Sequence, residues 1–266
     1  MMRTLGFLLA GALAACFASS ALAQEEAPTP PHQQWSFDGI FGTYDLAAAQ
    51  RGFQVYSEIC SVCHTMNYLH YRDLTGIGLT DAQVKAIAAA VTVPQGLDDD
   101  GNVKTGPGTP ADQFANPYPL YDPTTGIVRT NEKADRAAHN GALPPDLSLI
   151  VNAREGHADY VYGILTGFTD PPPGVHMMDG MNYNKYFPGH QIAMPPPLHD
   201  GQVTYADGTP ASVDQMAHDV VTFLAWAGNP ELVERKQIGV RWVLFFMLMA
   251  GLTYAVKRKV WADVDH

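Results

Sequence analysis

The sequence predicts a mainly α-helical, loop-rich head carried on a single C-terminal membrane helix. Three observations predict it. Apolar residues recur at helical spacing in several segments and almost nowhere with the two-residue period of a half-buried strand. Gly and Pro, 24 and 20 of them in 266 residues, gather between those segments. Near the end, Ile238 to Val256 ("IGVRWVLFFMLMAGLTYAV") is a run of 19 residues in which Arg241 is the only charge.

Taken in chain order, residues 1–23 read as a secretory leader: Arg3, an apolar stretch from Leu5 to Ala18, and Ala21-Leu22-Ala23 as a small-x-small cleavage site before Gln24. Leu13-Ala14-Ala15-Cys16 resembles a lipobox that would instead leave Cys16 lipidated, but the cleavage site after Ala23 is well formed and a second anchor exists. The exported head is expected over 24–236, the span over 237–260 and a short tail over 261–266. Within the head, residues 24–34 are a Pro/Gln-rich entry segment. Asp45 to Ile59 suits a helix with an apolar side of Phe53, Val55, Tyr56 and Ile59. Thr80-Asp81 caps a second helix, "DAQVKAIAAAV". Residues 92–145 are broken by Gly, Pro and Asp and predict loop, with a short helix near 131–139. Pro145-Asp146 opens an expected helix to about Arg154, and Ala158 to Thr166 another, stopped by Gly167. Residues 168–212, with "DPPPG" and "MPPPL", predict one long loop. Val213 to Ala227 is strongly periodic and ends at Gly228-Asn229-Pro230.

At helical rise the Ile238–Val256 run spans roughly 28 Å, close to a bilayer core. Arg241, near its edge, can snorkel outward. Lys257-Arg258-Lys259 follow directly and mark the cytoplasmic side, so leader and span agree that the head faces outward.

The acidity belongs to the head. Of 27 acidic and 16 basic side chains, only two acids and five bases lie outside 24–236, which leaves that segment at −14 against −11 for the whole chain. Such a surface disfavours nucleic acid and attracts a basic partner.

Once the leader is removed, Cys60 and Cys63 are the only cysteines, in Cys60-Ser61-Val62-Cys63-His64. A zinc site needs four ligands, and no second pair exists. A redox dithiol of the thioredoxin kind needs a βαβ setting that this helical neighbourhood lacks. CxxCH remains as a c-type haem attachment sequence, in which two thioethers hold the macrocycle and the histidine meets one face of the iron. A large apolar cofactor also accounts for long loops in a head with few helices. The opposite axial ligand in an electron-transfer haem is commonly Met or His. Met66 is too near His64, Met216 lies on a packing face, and Met247 and Met249 are in the span. Met177, Met178, Met181 and Met194 remain, and Met194 in "IAMPPP" is best placed because three prolines stiffen its backbone.

The stretches "RGFQVYSEICSVCHTMNYLHYRDL", "NGALPPDLSLIVNAREGHADYVYGILTGF", "YFPGHQIAMPPPL" and "DGTPASVDQMAHDVVTFLAWAGNPE", with the C-terminal span, closely resemble the cytochrome c1 family, from about Trp35 to Trp261. The resemblance implies a class I cytochrome c-like haem domain with long loop insertions and one C-terminal transmembrane helix. It implies one covalently attached haem c on Cys60 and Cys63, with His64 and Met194 as axial ligands. It also implies Arg154 and Tyr160 at a haem propionate, and Pro144-Pro145 along the haem edge. A guanidinium beside a buried carboxylate is physically sensible there. Some bacterial members brace the Met-ligand region with a further cysteine pair, which this chain lacks, and "LYDPTTGIVRTNEK" (120–133) is longer than the resemblance leads one to expect. The implied partners are cytochrome b and the Rieske iron–sulfur protein of the cytochrome bc1 complex, with a cytochrome c as acceptor. The implied location is the periplasmic face of a bacterial inner membrane. No substrate bond changes in such a subunit; quinol oxidation belongs to the whole ubiquinol–cytochrome c oxidoreductase. A haem-bearing sensor with an open iron site, or the monohaem subunit of another membrane oxidase, are the alternatives.

Overall fold

A computed structural model describes residues 27–263; the leader expected over 1–23 and the last residues of the tail lie outside the described residues. The head is built on two crossed helices, α1 (Leu46–Glu58) and α5 (Val213–Gly228). Asp45 caps α1 by accepting from the amides of Ala47 and Ala48, and Ser212 caps α5 through the Gln215 amide. The helices touch at Gly52, where a Cβ would stand 2.0 Å from the Asp219 carbonyl oxygen, so only glycine fits the crossing. Met216, Ala217, Val220, Val221 and Phe223 of α5 are fully enclosed. Each large apolar side chain buried in this way contributes about 1.5–3 kcal/mol.

Short elements are laid around this pair. A 3₁₀ turn, Cys60–Val62, follows α1, and a longer one, Tyr71–Ile77, packs beside α2 (Asp81–Ala89), which Thr80 and Gln83 close with a reciprocal capping box. α3 (Glu132–Ala138) is capped by Asn131, and α4 (His157–Thr166) packs on α5. Aromatic rings bind the loops to the core: Phe114 stacks on Tyr71 at 4.8 Å and lies beside Phe53 and Tyr56, which also meet Phe223. At the N-terminus Trp35 stacks on His218 at 4.7 Å, and its indole N–H donates to Asp159.

The class expected from sequence holds: mainly helical, with one long C-terminal helix. Three expectations are corrected. Residues 92–145 carry two antiparallel hairpins, β1–β2 (Thr92–Leu97, Val103–Pro107) and β3–β4 (Pro119–Tyr121, Val128–Thr130). The unassigned 120–133 stretch is mostly the second of these. The 168–212 loop holds a third small ribbon, β5–β6 (Asn182–Tyr183, Gln191–Ile192). The helix expected over 145–154 is only a series of turns, because Pro145, Asp146, Leu147 and Ser148 also bond to the distant 64–68 segment.

α6 (Leu232–Val260) begins earlier than the expected span and runs 29 residues, about 43 Å at helical rise. None of its residues is buried, and it is long and apolar enough to cross a membrane.

Candidate functional site

The cysteine turn forms because α1 runs out at Ile59 and the chain tightens, with the amides of Cys63 and His64 both donating to the Cys60 carbonyl at 3.1 and 2.9 Å. This holds both thiols and the imidazole within one turn. Both cysteines are free. Burial pushes the Cys60 thiol up to about 12, helped by Cys63, and raises Cys63 as well, with the Asp135 carboxylate adding to the effect. A redox dithiol needs the opposite shift, toward thiolate at neutral pH. These sulfurs stay protonated.

His64 is fixed by a residue far along the chain. Its Nδ1 lies 2.8 Å from the Pro145 carbonyl, 81 residues away. A carbonyl only accepts, so Nδ1 carries the proton and Nε2 keeps its lone pair. Burial lowers the pKa of this imidazole, while the Pro145 hydrogen bond opposes the shift. The net result is a neutral ring with one nitrogen free to bind a metal.

Pro145 is held in turn by its neighbours. The Asp146 carboxylate accepts from Thr65 Oγ1 at 2.8 Å, the Asn67 amide at 2.7 Å and the Ser148 amide at 2.9 Å. The Leu147 amide donates to the Thr65 carbonyl, and the Tyr68 amide to Ser148 Oγ. Residues 145–148 are therefore stitched along 64–68. Sequence reasoning assigned Asp146 only a helix start; its position directly after Pro-Pro was the available signal.

A second group missed from sequence lies near this turn. Asp135 on α3 is 1 % exposed and pairs with His139 Nδ1 at 2.8 Å, four residues on. The i, i+4 spacing of an acid and a histidine on a short helix was legible; its burial beside Cys63 was not.

The remaining expected residues fall into separate groups. Pro144 is half-buried next to Pro145. Arg154 is exposed and donates to the Ala153 carbonyl, and its charge reaches Tyr160 in the first turn of α4. Burial raises the Tyr160 phenol, and the Arg154 charge opposes it. Met194 is half-buried two residues past β6, its carbonyl accepting from Asn182 Nδ2 at 3.3 Å. Among its rivals Met178 is exposed; Met216 is a core residue, as expected, and Met66 proves to be one too. Of the expected residues outside the Cys60–His64 turn, Pro145 is the one that the described hydrogen bonds join to it. An open groove of about 1040 Å³, lined by Arg72, Lys85, Trp226 and Glu234 among others, lies at the start of α6, and none of these site residues lines it.

Among the described residues no group of three or more His, Cys, Asp or Glu side chains converges as a metal cage. The donor set that is present suits a haem, since a porphyrin brings four nitrogens of its own and asks the protein for axial ligands and anchoring thiols.

Comparison with known proteins agrees with this chemistry. The Cytochrome C1 family profile matches residues 35–264. Cytochrome c1 of Rhodospirillum rubrum is 41 % identical over 97 % of this chain and 97 % of its own length. Cytochrome c1 1, heme protein, mitochondrial, of Arabidopsis thaliana is 43 % identical over 96 % of this chain and 80 % of its own length. A longer protein of Bradyrhizobium diazoefficiens named cytochrome b/c1 is 43 % identical over 97 % of this chain, which spans 39 % of it. The chain belongs to the cytochrome c1 family, the haem subunit family of the bc1 complex.

Proposed function

We propose that this chain carries one covalently attached haem c, takes one electron at a time from the Rieske iron–sulfur protein and passes it to a cytochrome c. The observation that carries the reading is the His64–Pro145 hydrogen bond, which leaves Nε2 unprotonated beside two free, neutral thiols. Haem supplies the one-electron redox couple when bound. Cys60 and Cys63 would anchor it covalently, each thiol as a thioether. His64 Nε2 and the Met194 sulfur would hold the iron, a donor pair that would favour a high potential. Pro144 and Pro145 line the haem edge, and Arg154 with Tyr160 meets a propionate. Support for this last pair is that the Arg154 charge reaches the Tyr160 phenol.

The head is exported and faces the periplasm, α6 crosses the membrane, and Lys257-Arg258-Lys259 at its last turn stay on the cytoplasmic side. Cytochrome b is a partner within the complex; the names of two relatives, cytochrome b/c1 and cytochrome b-c1 complex catalytic subunit, support that assembly.

The test is haem retention on a denaturing gel. Wild type should carry haem with the polypeptide, and Cys60→Ala/Cys63→Ala should lose it. Covalent haem on the double variant would sink the attachment reading. Binding of carbon monoxide to the reduced wild type at neutral pH would sink the six-coordinate, electron-transfer reading.

A further inference from the structure

The loop Phe37–Gly42 ends in two adjacent large apolar residues turned to solvent, Ile40 at 68 % and Phe41 at 83 % exposed. Scattered exposed apolar residues need no explanation. This pair differs because the loop beneath it is held rigidly at the head's junction with α6. Its neck is closed by the Thr43 amide donating to the Ser36 carbonyl at 3.0 Å, and the Asp38 amide donates to the Trp35 carbonyl. Phe37 turns inward against Trp35 and Tyr44, with ring centroids 5.5 and 5.2 Å apart. Tyr44 then donates to the carbonyls of Ala225 and Asn229, where α5 gives way to α6. Lys236 of α6 donates to the Phe37 carbonyl at 2.6 Å and the Gly42 carbonyl at 3.3 Å, gripping both ends of the loop.

Lys236 stands two residues, about 3 Å of helical rise, before the apolar run that starts at Ile238. The headgroup layer of a bilayer is roughly 5–7 Å deep on each side. A loop whose two ends are bonded to the Lys236 ammonium therefore lies within that layer whenever α6 spans. There an aromatic and a branched aliphatic side chain gain by entering the acyl boundary.

We propose that Ile40 and Phe41 form a second membrane contact, inserted at the boundary between headgroups and acyl chains. The inference rests on the reading of α6 as a membrane span. With α6 it gives the head two points of attachment, so the head cannot swivel freely about one helix axis. The contact is apolar and does not depend on anionic lipid, consistent with the acidity of the head.

The test uses the assembled complex in nanodiscs of phosphatidylcholine, with a nitroxide attached at Phe41→Cys, and compares relaxation by oxygen with relaxation by a water-soluble nickel chelate. Background labelling is subtracted with the chain lacking an added cysteine. Met247→Cys in α6 and Ile127→Cys on the exposed β3–β4 turn serve as membrane and water references. The expected result is oxygen-to-nickel accessibility at residue 41 several-fold above that at 127 and below that at 247. Accessibility equal to that at 127 overturns the inference, and so does shielding from both relaxers, which would mean a protein subunit covers the loop. If residue 247 itself behaves as in water, the reading of α6 as a span fails instead.

Discussion

Arg51 on α1 and Asp219 on α5 form a two-pronged ion pair, Nε to Oδ2 and Nη2 to Oδ1, both at 2.9 Å, with the carboxylate wholly buried. Gln215 donates to the same carboxylate, and the remaining Arg51 nitrogen reaches Asp207 at 2.9 Å. The pair lies beside the Gly52 crossing and sets how the two main helices meet. Asp219→Ala should lower stability by up to about 3–5 kcal/mol, because it leaves the mostly enclosed Arg51 guanidinium with only the partly exposed Asp207 as a partner. Arg51→Met/Asp219→Leu should recover most of that loss. Denaturant unfolding of the detergent-solubilised chain checks both, and an Asp219→Ala midpoint equal to wild type would show that the pair does not hold the crossing.

Met194→Leu removes a sulfur from the region stiffened by Pro195, Pro196 and Pro197 and leaves both thiols in place. Haem content should be retained while the potential drops by at least about 0.1 V, an appreciable part of the ~0.8 V that axial ligands command. Redox titration decides it. An unchanged potential redirects the assignment to Met177 or Met181.

Asp159 on α4 gathers the entry segment, accepting from His32 Nδ1 at 2.7 Å, the Gln33 amide at 3.0 Å and the Trp35 indole at 2.7 Å. Burial works to raise its pKa, but hydrogen bonds from His32, Gln33 and Trp35 outweigh that and the net shift is downward. His32 shifts upward, first through its hydrogen bond to Asp159. A lowered acid stabilises above its unfolded pKa and loses that contribution as pH falls through the folded value. A raised histidine stabilises below its unfolded pKa and loses that contribution as pH rises through the folded value. The segment should thus be held most firmly between about pH 4 and 6.5. Protection of the Gln33 amide against hydrogen exchange should peak in that window. Asp159→Asn should flatten the profile; a variant that kept the wild-type peak would assign the pH dependence elsewhere.

The acidic head should steer a basic cytochrome c, and electron transfer to it should slow as salt rises from about 0.01 to 0.3 M, since screening shortens from roughly 30 Å to under 10 Å. Asp98-Asp99-Asp100 sits on the exposed turn of β1–β2. Asp98 has a local duty there, accepting from the amides of Asp100 and Asn102, chiefly the latter, which lowers its pKa. Asp99→Asn/Asp100→Asn therefore removes charge without touching the turn. A flatter salt dependence in that pair identifies a docking contact, and an unchanged one assigns steering to other carboxylates.

What the sequence by itself determined about this protein is what neighbouring residues settle among themselves. Asp45, Thr80 and Ser212 supply side-chain caps to α1, α2 and α5, and apolar spacing names the buried faces of α1 and α5, so those helices were legible with nearly their observed bounds. The Cys60–His64 turn is equally local, closed by bonds within five residues. The resemblance to the cytochrome c1 family was legible from quoted stretches, and the family comparison bears it out. What only the tertiary structure decided involves groups that find partners far along the chain. Residues 145–154 carry a good helix start, yet Pro145 and Asp146 bond to 64–68, and those competing bonds unmake the helix while fixing the His64 tautomer. The two hairpins in 92–130 bury only Val93 among their strand residues and contain Pro and Gly, so no continuous buried face imposes the alternation that would have announced them. Asp219 looked like one polar residue on a periodic helix. Only the approach of Arg51, 168 residues away, makes its burial affordable, because a carboxylate without a partner cannot remain charged in a dry core.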